Sequence, residues 1–411
     1  MKGGWPRDAV IRGDSNGGSA MKEQSSAGEV FLVFLRMGLT SFGGPVAHLG
    51  YFREEFVVRR QWLDDRSYAD LVALCQFLPG PASSQVGLAI GLSRASYLGA
   101  LAAWAGFTLP STIALVVFAY SLATLEGALG MGWLHGLKVA AVAVVALAVL
   151  GMARSLAPDR ERATLAVAGA VVAIAVPNAW GQIGAIVLGA IIGLMLPRSA
   201  VPGDHSSLPL SVSRGAAVTA LVAFFGLLIC LPVLQSAFPS QPLALFDGFY
   251  RAGSLVFGGG HVVLPLLQAE VVPRWVSNDA FLAGYGAAQA VPGPLFTFAA
   301  YLGAVIGGWG TAVLCLIAVF LPSFLLVIGA LPFWEAIRSR SRAQASLAGV
   351  NASVVGLLVA ALYHPVWTAG ITNARDFGLA AVAFLLLLMW QTPPWLVVLL
   401  CAAGGAALAA L

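Results

Sequence analysis

Apolar stretches of about 20 residues recur along the whole chain, and this feature constrains the fold more than any other. A helix of that length crosses the roughly 30 Å of hydrocarbon in a bilayer. Of the 411 residues, 59% are hydrophobic and 10% are charged, whereas a soluble fold carries about 25% charged residues. No stretch alternates with a period of two, as barrel strands would. The sequence therefore predicts an all-α, polytopic membrane protein.

An internal repeat divides the chain into two similar halves, as in many secondary transporters. We expect a first repeat at 29–196, a linker with one unpaired transmembrane helix at 197–245, and a second repeat at 246–411. Residues 1–28 are polar and glycine-rich, and we expect a disordered cytoplasmic tail there. The residues that recur in order include Arg36, Gly43, Gly44, Pro79, Gly80 and Pro81, which match Arg251, Gly258, Gly259, Pro292, Gly293 and Pro294.

The distribution of Lys and Arg predicts that the two repeats are inverted, because these residues collect in cytoplasmic loops. Loop 53–66 carries four arginines, whereas its counterpart at 268–279 carries only one. Further along the bias reverses: loop 123–133 has no Lys or Arg, and its counterpart at 335–346 has three Arg. The unpaired helix of the linker supplies the additional crossing that inversion requires.

Glycine and proline interrupt two apolar segments in each repeat, and each segment either crosses the membrane or enters and returns on one side. About 9 spans result if all four segments return, and about 13 if all four cross. Returning segments leave the larger excess of Lys and Arg on the cytoplasmic side. Charge therefore favours re-entrant segments, while inversion follows from either choice.

A broken helix is tolerated at membrane depth where its free backbone groups meet protein or a watery cavity. Pro45, Pro81 and Pro294 suit the first residue of a returning half-helix, whose free N–H groups attract an anion. Arg36 and Arg251 lie two turns before the glycines, and a guanidinium fork matches a tetrahedral oxyanion. The structural alternative is that the glycines only allow close helix packing and the arginines reach the membrane interface.

Several functions are disfavoured by what the sequence lacks. It has no GxxxxGK[ST] loop, so transport is not expected to use ATP bound to this chain. The spacing of the four cysteines matches no zinc or haem motif, and we expect no metal and no cofactor. No pair of nucleophile and base recurs beside both breaks, which argues against an enzyme and leaves no catalytic residues to assign.

The motifs closely resemble those of the chromate ion transporter family in its long form with two homologous domains. The resemblance rests on FLRMGLTSFGGPVAHLGYFREEFVVRRQWLDD and QFLPGPASSQVGLAIG in the first half, and on FGGGHVVLPLL and AAQAVPGPLFTFAAYLG in the second. It implies about 13 spans, oppositely oriented halves and no nucleic-acid partner. It also implies a multi-pass protein of the bacterial inner membrane that exports chromate and confers resistance to it.

The resemblance also implies a substrate path built from both repeats. Its expected residues are Arg36, Gly43, Gly44, Pro45, Pro79, Gly80, Pro81 and Gln85, together with Arg251, Gly258, Gly259, His261, Pro292, Gly293 and Pro294. The resemblance implies that sulfate competes with chromate. Whether protons are coupled to transport and whether the protein forms a homodimer are left open. The lipid bilayer surrounds the protein. The alternatives are a sulfate or other oxyanion importer and an anion channel on the same scaffold.

Overall fold

A computed structural model describes residues 25–129, 131–195, 212–338 and 340–410. Every regular element in these ranges is a helix, which confirms the all-α prediction. Of the expected tail, residues 1–24 lie outside the described ranges, and the first helix begins at Ala27. Residue 196, at the end of the first repeat, and residues 197–211 of the linker also lie outside them.

The same order of helices appears twice, once on each side of a helix α8 (Arg214–Ala237). The helices of the first half are α1 (Ala27–Thr40), α2 (Gly44–Arg53), α3 (Asp65–Phe77), α4 (Ala82–Leu129), α5 (Gly132–Leu156), α6 (Arg160–Ala175) and α7 (Ala179–Gly193). Those of the second half are α9 (Gln241–Ser254), α10 (Val263–Val271), α11 (Asn278–Ala288), α12 (Phe298–Ala330), α13 (Trp334–Arg338), α14 (Ser341–Ala361), α15 (Thr368–Gly370), α16 (Ala374–Leu388) and α17 (Pro394–Ala410).

The long helices α4 and α12 fold back on themselves. Ser96 has φ 55° in α4, and Gly308 has φ 77° in α12, so the helical path reverses at both places. A Cβ at Gly303 would lie 2.5 Å from the carbonyl oxygen of Thr311, although residues eight apart in a straight helix are about 12 Å apart. Each of these helices is therefore a short arm followed by a membrane-length arm.

Both broken segments of the first half return toward the end at which they start. Phe34 on α1 packs edge-on against Phe52 on α2, with ring centroids 5.7 Å apart. The guanidinium of Arg94, at the end of the short arm of α4, lies 5.1 Å from the ring centroid of Trp62, just before α3. Residues far apart on either side of each break thus meet, which only a hairpin allows.

The second half repeats this arrangement. Arg251 on α9 forms an ion pair with Glu270 on α10, with N and O 2.9 Å apart. The hydroxyl of Tyr301 on α12 donates a 2.8 Å hydrogen bond to the carbonyl of Ala280 on α11. All four broken segments are therefore hairpins, which is the arrangement that the charge distribution favours.

Within the described residues, five helical segments are long and apolar enough to cross a membrane. They include the long arms of α4 and α12, together with α5, α8 and α14. Helices α6, α7, α16 and α17 have 15 to 17 residues, which corresponds to about 22–26 Å and is shorter than the hydrocarbon layer.

The long arms of the equivalent helices α4 and α12 run in opposite directions, since Trp104 packs on Phe320 while Tyr120 packs on Trp309. Each half also packs onto the other. The nitrogen of His135 near the start of α5 lies 2.9 Å from a carboxylate oxygen of Asp376, which follows the end of α14. At the opposite end of α14, a Cβ at Gly193 on α7 would lie 2.5 Å from the carbonyl of Ala345. Helices α6 and α7 thus pack on α14, while α16 and α17 pack on α5. The repeats are inverted and interlocked.

Candidate functional site

The four breaks lie close to one another, and we call them together the break cluster. They comprise residues 43–45, 79–81, 258–260 and 292–294. A Cβ at Gly260 would lie 3.3 Å from Cγ of Pro45, so the first breaks of the two repeats touch. The sequence predicts four breaks but not their contact, and contact between them is what a single site requires.

Each PGP turn is fastened to the opposite repeat by a backbone hydrogen bond. The amide of Gly80 donates to the carbonyl of Val256 over 2.7 Å, and the amide of Gly293 donates to the carbonyl of Ser41 over 2.9 Å. Ser41 and Val256 are equivalent positions in the repeat, so the two bonds are related by the internal two-fold symmetry. These two amides are therefore already paired and are not available to an anion in this conformation.

Glycine is required in the PGP turns for two reasons. Gly80 has φ 124° and Gly293 has φ 99°, in the left-handed region that residues with a Cβ rarely adopt. A Cβ at Gly80 would lie 2.5 Å from Oγ of Ser323, and one at Gly293 would lie 2.9 Å from Oγ of Ser111. Both the conformation and the close approach of the other repeat thus exclude a side chain.

Helix N-termini converge on the break cluster. Helix α2 begins within the first break, at Gly44, and α4 begins directly after the second, while short 3₁₀ turns at Gly260–Val262 and Leu295–Thr297 lead into α10 and α12. The N-cap residue of α2 is Gly43, which has no side chain to pair with the first amides, whereas the amides of Val263 and Phe298 already donate to carbonyls of the preceding 3₁₀ turns. Positive helix ends therefore lie around one place, an arrangement that favours an anion.

Polar side chains are buried on the first-repeat side of the break cluster. Gln85 is fully buried and donates from Nε2 to the carbonyl of Pro79 over 2.7 Å. His48 is 1% exposed, and its Nδ1 lies 3.3 Å from Oγ of Ser83. Sequence reasoning selects Gln85 but leaves His48 out, because its repeat partner is Val263 and nothing in the pattern separates it from a structural histidine.

The two predicted arginines lie in different surroundings. Arg36 is exposed on the face of α1 away from its buried residues. Arg251 is mostly buried and contacts Glu270 at 2.9 Å and Asp247 at 3.3 Å. Neither guanidinium has a contact with the break cluster among the hydrogen bonds and ion pairs of the described residues.

One position at which the two repeats carry different residues accounts for part of the difference between the surroundings of Arg36 and Arg251. A Cβ at Gly248 on α9 would lie 3.0 Å from Oε2 of Glu270, so glycine makes room for the carboxylate beside Arg251. The equivalent residue on α1 is Val33, which is itself buried. In the first repeat Glu55, the counterpart of Glu270, instead pairs with Arg59 at 2.6 Å and with Arg60.

His261 lies at the break of the second repeat and has a partner. Its Nδ1 is 2.8 Å from the hydroxyl of Tyr285 on α11. This contact ties one re-entrant hairpin of the second repeat to the other. Within the described residues, no group of three or more His, Cys, Asp or Glu side chains is arranged to hold a metal ion.

Comparison with known proteins gives a match in each half of the chain. The model of the chromate transporter family matches residues 28–194 and again residues 243–406. A chromate transport protein of Pseudomonas aeruginosa is 29% identical over 336 residues, which cover 80% of this chain and 79% of the relative. A chromate transport protein of Cupriavidus metallidurans is 25% identical over 346 residues, which cover 81% of each chain.

A shorter relative matches only part of the chain. This uncharacterized transporter of Bacillus subtilis is 36% identical over 137 residues, which cover 33% of this chain and 75% of the relative. No solved structure matches the chain. Since the family model matches twice and its matches together span most of the sequence, the chain belongs to the chromate transporter family.

Proposed function

We propose that the protein is a secondary transporter that exports chromate from the cytoplasm across a bacterial inner membrane and so confers resistance to chromate. The observation that carries the proposal is the convergence of four broken hairpins, two from each inverted repeat, on one place. In this proposal the repeats are 29–196 and 246–411, and their relative rocking exposes the break cluster to each side of the membrane in turn.

The predicted residues have distinct roles in this proposal. The glycines and prolines of the break cluster, with Gln85 and His261, surround the oxyanion. Arg251 holds the second hairpin together through Glu270, while the exposed Arg36 attracts anions toward the path. No step requires a bond to be made or broken in the substrate, so the protein is not an enzyme in this proposal.

The membrane potential supplies a driving force for export. Each negative charge that moves outward from a negative interior gains about 2.3 kcal/mol per 100 mV. Chromate in its dianionic form therefore gains about 4.6 kcal/mol per 100 mV, with or without an entering proton.

The proposal is tested by flux into vesicles whose orientation is known. The full chain is placed in inside-out membrane vesicles, the voltage and the pH gradient are set separately, and uptake of labelled chromate is measured with and without sulfate. We expect saturable uptake that rises when the vesicle interior is made positive.

Two rival functions predict other results. Uptake of sulfate confined to right-side-out vesicles would identify an importer. A current that does not saturate with chromate concentration would identify a channel. Either result would overturn the proposal, and so would chromate flux equal to that of vesicles without the protein.

A further inference from the structure

The PGP turn of the second repeat fits against two residues that both belong to the first repeat. Gly293 donates its amide to the carbonyl of Ser41 over 2.9 Å, and a Cβ added at Gly293 would lie 2.9 Å from Oγ of Ser111. Ser41 is 1% exposed and Ser111 is 0% exposed. We call Ser41 and Ser111 the first-repeat socket. Its walls belong to one repeat and the turn that it holds belongs to the other.

The PGP turn of the first repeat fits in the same way against the second repeat. Gly80 donates its amide to the carbonyl of Val256 over 2.7 Å, and a Cβ added at Gly80 would lie 2.5 Å from Oγ of Ser323. We call Val256 and Ser323 the second-repeat socket. Because Ser111 and Ser323 occupy equivalent positions in the repeat, the two sockets are related by the internal symmetry.

The two walls of each socket are packed tightly together within their own repeat. A Cβ at Gly38 on α1 would lie 2.8 Å from the carbonyl oxygen of Gly106 on the long arm of α4. One at Gly253 on α9 would likewise meet the carbonyl oxygen of Val319 on the long arm of α12. Rocking of one repeat against the other therefore separates a PGP turn from its socket and leaves the walls of the socket together.

The two sockets lie at different depths in the membrane. Arg94, beside the turn of α4, donates to Oγ of Ser25 over 3.1 Å, so α1 and the long arm of α4 start at the same end of the fold. Ser41 and Ser111 both lie about 21 to 22 Å from that end, which is past the middle of a hydrocarbon layer of about 30 Å. By the internal symmetry, the second-repeat socket lies equally far from the opposite end. In the orientation that the arginines favour, the first-repeat socket is nearer the outside and the second-repeat socket is nearer the cytoplasm.

A proline gives each long arm a place to bend beside its socket. Pro110 directly precedes Ser111 in α4, and Pro322 directly precedes Ser323 in α12. A proline inside a helix has no N–H for the hydrogen-bond ladder and kinks the helix. Each long arm can therefore move its serine relative to the PGP turn while the rest of the arm stays helical.

We propose that the two sockets are the gates of the transporter. Opening of the second-repeat socket connects the break cluster to the cytoplasm, and opening of the first-repeat socket connects it to the outside. Ser111 and Ser323 are positioning residues, because their side chains set how closely each PGP turn approaches. The inference rests on the proposed function and deepens it by naming the contacts that alternate, since alternating access keeps one gate closed while the other is open.

The first test places a cysteine at each serine in the full chain from which the four native cysteines have been replaced. A small, membrane-impermeant thiol reagent is applied to right-side-out and to inside-out vesicles. Ser323→Cys should react at least about tenfold faster from the cytoplasmic side than from the outside. Ser111→Cys should show the opposite preference, also by at least about tenfold.

The double variant Ser111→Cys with Ser323→Cys tests whether the gates alternate. A reagent attached at position 323 from the cytoplasmic side should hold the second-repeat socket open. The first-repeat socket must then stay closed, so labelling at position 111 from the outside should slow by about fivefold or more.

A larger side chain in one socket should open that socket selectively. Ser323→Val should speed the labelling of Ser83→Cys from the cytoplasmic side by about tenfold, and Ser111→Val should speed it from the outside by a similar factor. Ser353→Val is the matched control, because Ser353 is 0% exposed and its Oγ also approaches a glycine of the opposite repeat. That glycine is Gly189 on α7 rather than a glycine of a PGP turn, so this variant should favour neither side. If a valine variant fails to fold, the cysteine variants still decide.

The outcomes separate this inference from the proposed function. Reaction of Ser323→Cys at equal rates from both sides, or from neither side, would overturn the assignment of the gates while chromate flux continued. Labelling at position 111 that ignores modification at position 323 would overturn it as well. Side-specific, alternating labelling in a protein that carries no chromate would instead overturn the proposed function and leave the gates in place.

Discussion

At the residue scale, the smallest side chain is what allows the repeats to meet. Gly80 combines a left-handed backbone with an approach that leaves no room for a Cβ beside Ser323 and Gln85. Gly44 has a left-handed backbone, φ 77°, but a Cβ added there would meet no atom within 4 Å. Gly50 lies within α2 with open space around it. The three positions therefore separate the effect of conformation from that of packing.

Alanine at these three glycines should produce a graded loss of stability. Gly80→Ala should lower the free energy of unfolding by roughly 2 to 4 kcal/mol, since strain and overpacking add. Gly44→Ala should cost about 1 kcal/mol through strain alone, and Gly50→Ala should be neutral or slightly stabilising. Thermal unfolding in detergent measures the series. Equal stability of the Gly80 and Gly50 variants would contradict this account of the PGP turn.

The two arginines should also behave differently. Arg251→Ala leaves the mostly buried carboxylates of Glu270 and Asp247 without their cation, and should lower the stability by up to about 3 kcal/mol. Arg36→Ala removes an exposed side chain and should change stability by less than about 0.5 kcal/mol.

The double variant Arg251→Ala with Glu270→Ala serves as the control for this comparison. It should recover part of the loss, because it removes one of the carboxylates left unpaired. The measurement is the midpoint of thermal unfolding. A loss of stability for Arg36→Ala as large as that for Arg251→Ala would show that the exposed position of Arg36 is wrong.

At the element scale, the hairpins define which loops share a side of the membrane. Contacts such as that of Phe34 with Phe52 bring both ends of a broken segment together. Gln61 follows the first hairpin and Ser277 follows the hairpin of α9 and α10. Both side chains are exposed. These residues change sides if the broken segments cross, and keep their sides if they return.

Single cysteines should therefore report the topology. In a background without the four native cysteines, Gln61→Cys should react with an impermeant maleimide only from the cytoplasmic side, and Ser277→Cys only from the outside. The flanking controls Ser96→Cys and Gln241→Cys keep their sides in either arrangement. Labelling of Gln61→Cys in intact cells would show that the first segment crosses the membrane.

At the scale of the whole molecule, ion pairs join the two repeats near opposite ends of the fold. Arg338, before α14, contacts Asp70 on α3 at 3.2 Å. Lys138 on α5 contacts Asp279 on α11 at 2.9 Å. The first pair links the short helix α13 to the hairpin of α3, and the second links the long helix α5 to the hairpin of α11. Both pairs are formed in this structure.

Removal of one ion pair should open the molecule toward one side. Ser83 is 2% exposed beside the break cluster, so Ser83→Cys should react slowly with a small thiol reagent in the cysteine-free background. Addition of Asp70→Asn should speed its labelling from the cytoplasmic side, whereas Asp279→Asn should speed it from the outside. The second effect should be smaller, because the side chain of Asp279 is 66% exposed and exposed pairs contribute less than about 1 kcal/mol. If each variant speeds the labelling of Ser83→Cys equally from both sides, the two ion pairs do not each close one side of the protein.

Much of the architecture could be predicted because it depends on the residues of each segment and on the overall distribution of charged residues. The long apolar stretches require helices, since a lipid-exposed backbone must satisfy its own hydrogen bonds. Glycine and proline place the breaks, and the bias of arginines predicts the inversion and favours the hairpins. The residues of the break cluster are therefore recognisable from the sequence alone.

Only the tertiary structure decided what these residues contact. The bonds from Gly80 to Val256 and from Gly293 to Ser41 join positions that are distant in sequence, and no periodic pattern encodes them. The surroundings of Arg251 depend on the space that Gly248 leaves for Glu270, whereas the sequence alone suggests equal roles for both arginines. The apolar content and charge of a segment determine whether that segment forms a membrane helix and how it is oriented. The contacts of its side chains depend on which segments pack together, and that geometry exists only in the folded protein.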